Sequence, residues 1–249
     1  MTDAGNYRPI AVLSPFAKIL ERLVYNQLNH LLEKESILFK QQFGFRKNYS
    51  TELAILEFTD NLKMKIDCNE VICSVFLDLS KAFDAVNRQI LVEKLYRYGI
   101  RGVPLQWFKS YLESRTQYVE IENVKLNPLP IQCGVLPKGS PVGPLLFFIY
   151  INDMPNCLVK ANTCIRTFAD DTTLFYSSHS IQELEKTINK KFNHLLNYCS
   201  ANKLSVNFKK THYMMISSLQ KTNKLKLNLH NIEEKNYIDN DISAKYLKT

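Results

Sequence analysis

The feature that most constrains the fold is a run from Val71 to Leu77, which is apolar at both odd and even positions apart from Ser74. A strand that faces water on one side alternates apolar and polar residues, so this run predicts a central strand covered on both faces. The run is rich in β-branched residues, and Asp78 follows it directly. The sequence therefore predicts a layered fold with a carboxylate at the end of a buried strand.

Helical and strand-like patterns alternate around this central strand. Helices are predicted over Pro15 to Leu32, Thr51 to Lys65, Arg88 to Tyr98, Pro104 to Leu112, Leu145 to Ile151, and after the capping box Ser180 to Glu183. Strands are predicted over Gln117 to Ile121, Cys164 to Phe168, Leu174 to Tyr176, Leu204 to Phe208, Tyr213 to Ile216, and Lys224 to Leu229. The polar stretch Asp170 to Thr173 predicts a hairpin tip. Together these patterns predict an α+β fold whose sheet is partly antiparallel.

Composition and charge narrow the function classes. The chain has 249 residues, with 32 Lys and Arg against 24 Asp and Glu, and the resulting charge of +8 favours a polyanionic partner. The longest apolar run, Leu145 to Ile151, is too short to span a bilayer, so we expect a soluble, intracellular protein with no membrane association. The six cysteines and five histidines lack zinc-ligand spacing, and we expect buried thiols.

Acidic residues at strand ends are the first candidates for chemistry. If the strands before Asp78 and around Asp170 and Asp171 are neighbours, three carboxylates converge and repel one another unless a cation such as Mg²⁺ neutralises them. Two such ions about 3.5–4 Å apart can activate a primer hydroxyl and stabilise leaving pyrophosphate. Spacing leaves open that these acids serve turns only. It also leaves open a different set of acids, drawn from Asp60, Asp84 and Asp153.

The segments that carry these aspartates, Phe76 to Asp84 and Phe168 to Asp171, resemble the two catalytic motifs of reverse transcriptases. Further motifs occur in the order seen in non-LTR, LINE-type retrotransposon polymerases of the jockey and CR1-like branch. They are Asn6 to Ile10, Gln42 to Arg46, Gly139-Ser140 with Gly143-Pro144, Tyr150 to Asp153, and Leu204 to Asn207 with Lys210-Thr211. The resemblance runs from residue 6 to residue 247.

The resemblance implies a right-hand polymerase fold. Residues 1–70 would form partial fingers, and residues 71–249 a palm with a mostly antiparallel sheet backed by helices. The palm would carry a fingers-like helical insertion at about 88–130 and would end at the start of the primer grip. The thumb and the first fingers strand would be absent, and we expect a fragment of a retrotransposon reading frame.

The resemblance also implies roles for charged residues at the reaction centre. Asp78 and Asp170 would bind two Mg²⁺ ions, with Mn²⁺ as a substitute, and Asp171 would be the accessory metal-binding acid. Lys210 would protonate the leaving pyrophosphate as a general acid. Arg8 would hold the triphosphate of the incoming nucleotide, because a guanidinium pairs well with phosphate oxygens.

The remaining implied site residues contact substrate or template. Phe83 would lie under the sugar of the incoming nucleotide and exclude a 2′-hydroxyl. Gly139 and Ser140 would lie against the template and the nascent base pair, where missing side chains allow close approach. Arg46 and Lys47 would contact the template backbone in a salt-sensitive way.

The function predicted from the resemblance is RNA-directed DNA polymerase activity on an RNA template, a DNA primer and deoxynucleotides, with nuclear action expected from the family and protein partners unknown. One departure affects this prediction: the loop from Gly134 to Ser140 is one residue longer than the usual Gly-Val-Pro-Gln-Gly-Ser and includes Leu136 and Lys138. The alternative is a catalytically inactive, nucleic-acid-binding remnant of a decayed element. A group II intron or retron polymerase matches the motifs less well.

Overall fold

The structure, a computed structural model, describes residues 12–217 except 45, 47, 114, 122–123, 132, 136–138 and 159–162, together with 233–234. Two compact units divide the chain. The first unit consists of residues 1–38 and 81–152, and the second of residues 39–80 and 153–249. The boundary predicted at residue 70 therefore falls inside the second unit, and the names fingers and palm stay predictions.

The described residues contain helices and strands in alternation. The helices are α1 (Pro15–Lys34), α2 (Thr51–Asp67), α3 (Arg88–Arg97), α4 (Gly102–Leu112), α5 (Val142–Ile151) and α6 (Ile181–Ala201), with a 3-10 helix at Met154–Cys157. The strands are β1 (Val71–Leu77), β2 (Thr116–Gln117), β3 (Glu120–Ile121), β4 (Val124–Lys125), β5 (Leu129–Pro130), β6 (Thr163–Phe168), β7 (Asp171–Ser178), β8 (His212–Ile216) and β9 (Glu233–Glu234). None of the helices in these ranges combines the length and apolarity needed to cross a membrane.

The second unit is built on a five-stranded sheet in the order β6-β7-β1-β8-β9. Strand β1 pairs antiparallel with both β7 and β8, β6 pairs antiparallel with β7, and β8 pairs parallel with β9. Every residue of β1 is buried, so the predicted central strand with two covered faces is confirmed. The sheet is mixed but mostly antiparallel.

Helices cover the two faces of this sheet. On the face of α2, a cluster of buried side chains consists of Phe58, Leu62, Ile72, Phe76, Phe175 and Met214. On the other face, Cys73 and Val75 of β1 line a small apolar cavity with Ile188 and Phe192 of α6. Alternate residues of β1 therefore pack against different helices, because successive side chains of a strand point to opposite faces.

The first unit packs its helices around α5, which contacts α1 and α3. Every residue of α5 except Pro144 is buried, so the predicted buried helix is confirmed. The Lys94 ammonium donates to the carbonyl of Tyr150 at 2.5 Å, and the Tyr150 hydroxyl accepts from the Asn87 amide at 3.3 Å. These bonds satisfy polar groups where α3 meets the end of α5.

A two-stranded arm leaves the helices of the first unit. Strand β2 pairs with β5, and β3 pairs with β4, over a stretch where all four strands are exposed. The strand predicted over Gln117 to Ile121 is therefore divided in two.

Other predictions need correction at element boundaries. Helix α4 begins at Gly102, two residues before Pro104. Asp171, Thr172 and Thr173 belong to β7, since both threonines are buried and paired with β1 and β6, so the turn consists of Ala169 and Asp170 alone. Between residues 204 and 208, Val206 makes an isolated bridge with Leu79 in place of a strand.

Two further predictions had different outcomes. Cys73 and Cys199 are buried and Cys157 is half-buried, whereas the expectation of buried thiols was wrong for Cys68 and Cys133, which are exposed. Cys68 follows the end of α2 and Cys133 lies in an irregular segment, where no layer packs over them. The strand predicted over Lys224 to Leu229 lies outside the described residues.

Candidate active site

The register of the second unit's sheet brings the aspartate-bearing segments next to each other. Leu77 pairs with Thr172 across β1 and β7, and Asp78 follows Leu77. Continuing this register by one position sets Asp78 opposite Asp171. Opposed residues of antiparallel strands have Cα atoms about 4.5–5.5 Å apart, so the end of β1 and the start of β7 present two carboxylates to the same region.

The third aspartate lies in the two-residue turn between β6 and β7, which we call the aspartate turn. Phe168 pairs with Asp171, and Ala169 and Asp170 connect them. Ala169 has a φ of 57°, in the left-handed region that favours glycine. All three aspartates are half-buried. A left-handed alanine beside Asp170 stores backbone strain at the candidate reaction centre.

The backbone of Asp78 is held by a segment near the end of the second unit. The Asp78 amide donates to the Thr211 hydroxyl at 3.2 Å, and the Asn207 amide donates to the Asp78 carbonyl at 2.9 Å. The Ser80 amide donates to the Ser205 carbonyl at 2.8 Å. Thr211 is fully buried. Both polar backbone groups of Asp78 are therefore bound by residues far away in the sequence.

Lys210 lies in the turn between Asn207 and Thr211, the two residues that anchor the Asp78 backbone. Its amide donates to the Asn207 carbonyl at 3.1 Å, and its side chain is exposed. Lys210 is thus adjacent in the chain to the residue that binds the Asp78 amide, while its role as a general acid stays a prediction. Thr211 belongs to a family motif in the sequence but has no predicted role, because a threonine after a lysine carries no pattern that points to Asp78.

The donor set fits a hard divalent cation. Carboxylate oxygens are the ligands that Mg²⁺ prefers, and Mg²⁺ is usually held by one or two carboxylates together with water and substrate phosphates. Within the described ranges, no three His, Cys, Asp or Glu side chains are already gathered as a metal cage. The carboxylates of Asp78, Asp170 and Asp171 are of the ligand type that such a cation takes.

Phe83 belongs to the first unit. Its half-buried ring stacks on Phe147 of α5, with centroids 4.3 Å apart and an angle of 30°. Its carbonyl accepts from the Val135 amide at 2.9 Å, and the Gly134 amide donates to the Val86 carbonyl at 2.8 Å. The Phe83 ring is therefore supported by a buried ring and by the backbone of the loop that leads toward Gly139.

Gly139 and Ser140 differ in exposure. Gly139 is exposed with a φ of 91°, a conformation that L-residues rarely adopt. Ser140 is buried, and its hydroxyl donates to Glu21 at 2.5 Å and accepts from the Gly143 amide at 3.0 Å. The bond from the Gly143 amide caps the first turn of α5, which begins at Val142 after Pro141. The hydroxyl of Ser140 is thus engaged within the first unit.

Glu21 of α1 is a residue that sequence reasoning missed. Its carboxylate is 3% exposed and accepts from the Tyr111 hydroxyl at 2.7 Å in addition to Ser140. Burial raises the pKa of Tyr111, with the hydrogen bond to Glu21 acting in the same direction. The sequence pattern of α1 does not indicate that this glutamate is buried or that it accepts hydrogen bonds from two hydroxyls.

Arg46 is half-buried in the second unit. Its guanidinium donates to the Phe39 carbonyl at 3.2 Å and lies over the Tyr49 ring, 4.5 Å from the centroid. Arg8 and Lys47 lie outside the described residues, as do Leu136 and Lys138 of the longer loop. Contacts of Arg46, Lys47 and Arg8 with substrate stay predictions.

Solved structures share this architecture. The chain is similar to telomerase from Candida tropicalis in complex with a fragment of telomeric RNA, with a TM-score of 0.57 and 16% identity over 86% of this chain and 35% of that one. It is similar to telomerase from Candida albicans with a TM-score of 0.56 and 14% identity, over 87% of this chain and 37% of that one. At these identities the likeness concerns the fold.

Sequence relatives are more specific. The chain is 36% identical over 214 residues to the probable RNA-directed DNA polymerase from transposon BS of Drosophila melanogaster, covering 83% of this chain and 23% of the relative. It is 34% identical to the RNA-directed DNA polymerase from mobile element jockey of the same organism, covering 72% and 20%. The chain thus spans less than a quarter of the length of these relatives.

The family described as reverse transcriptase (RNA-dependent DNA polymerase) matches residues 2–247. This range contains both aspartate segments, the anchor at Thr211 and all the site residues predicted from sequence. The chain therefore belongs to the reverse transcriptase family, with relatives among the non-LTR retrotransposon enzymes.

Proposed function

We propose that this chain catalyses RNA-directed DNA synthesis, adding deoxynucleotides to the 3′-end of a DNA primer along an RNA template. The observation that carries the proposal is the sheet register, which pairs Leu77 with Thr172 and so brings Asp78, directly after Leu77, near Asp171, directly before Thr172. Family membership indicates what this pair of segments is used for. Nuclear action is proposed from the same family.

The proposed metal ligands are Asp78 and Asp170, with Asp171 as the accessory acid. When bound, two Mg²⁺ ions would activate the primer 3′-hydroxyl and stabilise the leaving pyrophosphate. The chain's own contribution is to hold the carboxylates in place before substrate arrives. The bonds from Thr211 and Asn207 to the Asp78 backbone serve this purpose.

Other residues would act on the nucleotide. Lys210, exposed beside Thr211, would donate a proton to the leaving pyrophosphate. The Phe83 ring would exclude a 2′-hydroxyl, and its stacking on Phe147 limits the positions that the ring can adopt. Arg8 would bind the triphosphate.

Template contacts complete the proposal. Gly139, with its exposed backbone, and Ser140, with its capped helix, would support the template and nascent base pair. Arg46 and Lys47 would bind template phosphates. In this proposal residues 71–249, with the five-stranded sheet and α6, correspond to the palm of a right-hand polymerase, and residues 1–70, which include α2, to partial fingers.

Primer extension tests the proposal directly. The 249-residue chain is incubated with a labelled DNA primer on an RNA template, Mg²⁺ and deoxynucleotides. The test variant is Asp170→Ala with Asp171→Ala. The matched control is Glu52→Ala with Asp67→Ala, which removes two exposed carboxylates from α2 of the same unit. We expect extension by the wild type and the control but not by the test variant.

Two other outcomes contradict the proposal. Equal extension by the test variant and the control would show that the aspartates do not carry the reaction. No extension by any protein, with salt-sensitive binding of the primer-template retained, would support the alternative of an inactive nucleic-acid-binding remnant.

A further inference from the structure

A short stretch of backbone covers the edge of the sheet beside the aspartate turn. We call residues 41–44 the edge segment. The Phe43 amide donates to the Thr167 carbonyl at 2.8 Å, and the Thr167 amide donates to the Gln41 carbonyl at 3.0 Å. Gln42 forms a parallel bridge with Thr167. The edge segment therefore lies along β6, the edge strand that leads into the turn.

The side chain of Gln42 reaches the turn itself. Gln42 is 4% exposed, and its Oε1 atom accepts from the Ala169 amide at 3.2 Å and from the Gly44 amide at 2.9 Å. An amide oxygen has two lone pairs, so a single atom can satisfy both donors. The Gln42 side chain thus links the edge segment to the first residue of the aspartate turn.

The close approach of the edge segment to Ala169 requires a glycine at position 44, because a side chain would not fit there. A Cβ atom at Gly44 would lie 2.5 Å from the backbone nitrogen of Ala169 and 3.1 Å from its Cα. Backbone atoms cannot move aside as the end of a flexible side chain can. The edge segment can therefore reach the turn only because residue 44 has no side chain.

The residue that Gln42 holds is the strained one. Ala169 has a φ of 57°, and Asp170 follows it directly. Such a conformation persists only where surrounding contacts support it. The strand pairs on either side of the turn support this conformation. The hydrogen bond from the Ala169 amide to Gln42 supports it as well.

We propose that Gln42, brought close by Gly44, is a positioning residue that holds the Ala169 backbone so that Asp170 and Asp171 are arranged to bind divalent cations. This inference rests on the proposed polymerase function. Gln42 does not touch the reacting atoms, and its effect reaches them through the turn.

Four variants of the 249-residue chain test the role. Gln42→Met keeps the shape but removes the acceptor oxygen, and Gly44→Ala places a Cβ atom 2.5 Å from the Ala169 nitrogen and 3.3 Å from Oε1 of Gln42. Gln42→Glu keeps an acceptor oxygen and is the conservative rescue. Gln182→Met makes the same chemical change on the exposed surface of α6 in the same unit and is the matched control.

Three measurements separate positioning from simple support of the fold. Hydrogen exchange of the Ala169 amide, followed by NMR, reports the bond itself. Mn²⁺ binding to the protein alone, followed by electron paramagnetic resonance, reports the carboxylate arrangement. The Mg²⁺ concentration that gives half-maximal primer extension reports the same arrangement during synthesis. Thermal unfolding midpoints show whether each variant is folded.

We expect Gln42→Met and Gly44→Ala to exchange Ala169 about two- to tenfold faster, as loss of one hydrogen bond predicts, with Mn²⁺ affinity and Mg²⁺ requirement shifted in the same range. Gln42→Glu and Gln182→Met should keep the wild-type exchange rate at Ala169. If Gly44→Ala does not fold, Gln42→Met still tests the bond.

The proposal is overturned if Ala169 exchanges at the wild-type rate in Gln42→Met. It is also overturned if exchange rises equally across β1, β6 and β7 while Mn²⁺ affinity is unchanged, since Gln42 would then only support the fold. Wild-type protein that binds Mn²⁺ but never extends a primer would contradict the polymerase function, and the exchange and Mn²⁺ measurements would still decide the role of Gln42.

Discussion

The backbone amide of Asp78 donates a hydrogen bond to the side-chain hydroxyl of Thr211, a residue 133 positions further along the chain. Thr211 is fully buried, and the neighbouring Asn207 amide binds the Asp78 carbonyl. The main chain of the aspartate is therefore fixed where β1 ends. This relationship makes a threonine with no reactive role decisive for the position of a candidate metal ligand.

Thr211→Val removes the hydroxyl while keeping the shape of the side chain. It leaves the Asp78 amide without this partner, and we expect a loss of about 1–3 kcal/mol in the free energy of unfolding. The rate of primer extension should also fall under conditions in which the variant is fully folded, because Asp78 is displaced. Thr211→Ser keeps the hydroxyl and serves as control. Urea unfolding and primer extension check both effects, and wild-type behaviour of Thr211→Val in both would contradict the anchor.

Asp78→Asn tests the repulsion between opposed carboxylates. Like charges directly opposite each other on a sheet destabilise it by roughly 0.2–1 kcal/mol, so without divalent cations this variant should be more stable than wild type by about that amount. The gain should shrink near 1 M salt, where the screening length is about 3 Å. Urea unfolding in the presence of a chelator measures the gain in stability. Asp60→Asn, which changes an exposed carboxylate, is the control. A variant less stable than wild type under these conditions would refute the opposed arrangement.

Ser140→Ala separates a structural role from substrate binding. The variant loses the cap of α5 and one donor to Glu21, and we expect a cost of about 0.5–2 kcal/mol in unfolding free energy. The KM for deoxynucleotide should stay close to the wild-type value. Ser110→Ala, on the exposed surface of α4, is the control. Unchanged stability with a raised KM would instead assign the Ser140 hydroxyl to substrate binding.

Tyr111 makes the first unit sensitive to alkaline pH. Burial raises the pKa of Tyr111 above its ordinary value of 10.0. The folded chain favours the neutral phenol, so its contribution to stability is complete below pH 10.0 and is lost as the pH rises through the folded-state pKa. Tyr111→Phe should therefore lose less stability than wild type when the pH is raised from about 8 to about 11.

Urea unfolding at the two pH values measures this difference for Tyr111. Tyr118→Phe, which removes an exposed hydroxyl from the arm of the same unit, is the control. Equal pH dependence of wild type and Tyr111→Phe would show that the phenol is not desolvated.

The cysteines report the packing around α6. Burial raises the pKa of Cys157 to about 11 and that of Cys199 to about 12, whereas Cys68 and Cys133 are exposed. The thiolate is the reactive form. Iodoacetamide near neutral pH should label Cys68 and Cys133 in the native protein, and Cys157 and Cys199 only in urea. Site-resolved mass spectrometry checks this, and native labelling of Cys199 as fast as Cys68 would contradict the packing.

Local patterns predicted the main elements. The run from Val71 to Leu77 is a central strand with two buried faces, and the run from Leu145 to Ile151 lies in a buried helix. The Ser180 hydroxyl caps the helix that follows it, as the predicted capping box indicates, and the Ser14 hydroxyl caps α1 in the same way. Such features depend on neighbours within a few residues, so periodicity and capping chemistry are sufficient to find them.

Part of the candidate site could be predicted from the sequence for the same reason. A strand that ends at Asp78 and a polar turn at Asp170 are local features, and their motifs carried the family resemblance. The exact bounds of the turn could not be predicted, because Thr172 and Thr173 are typical of turns and strands alike. Pairing with β1 and β6 decided that they belong to β7.

By itself, the sequence determined the order of elements, the buried central strand and the identity of the acidic groups, because each follows from chemistry within one segment. Only the tertiary structure decided which distant groups meet: Thr211 with Asp78, Gln42 with Ala169, and Ser140 with Glu21. Each of these bonds joins residues more than a hundred positions apart. A polar side chain shows in sequence that it can donate or accept, but its partner is set by the register and packing of the whole sheet or helix layer.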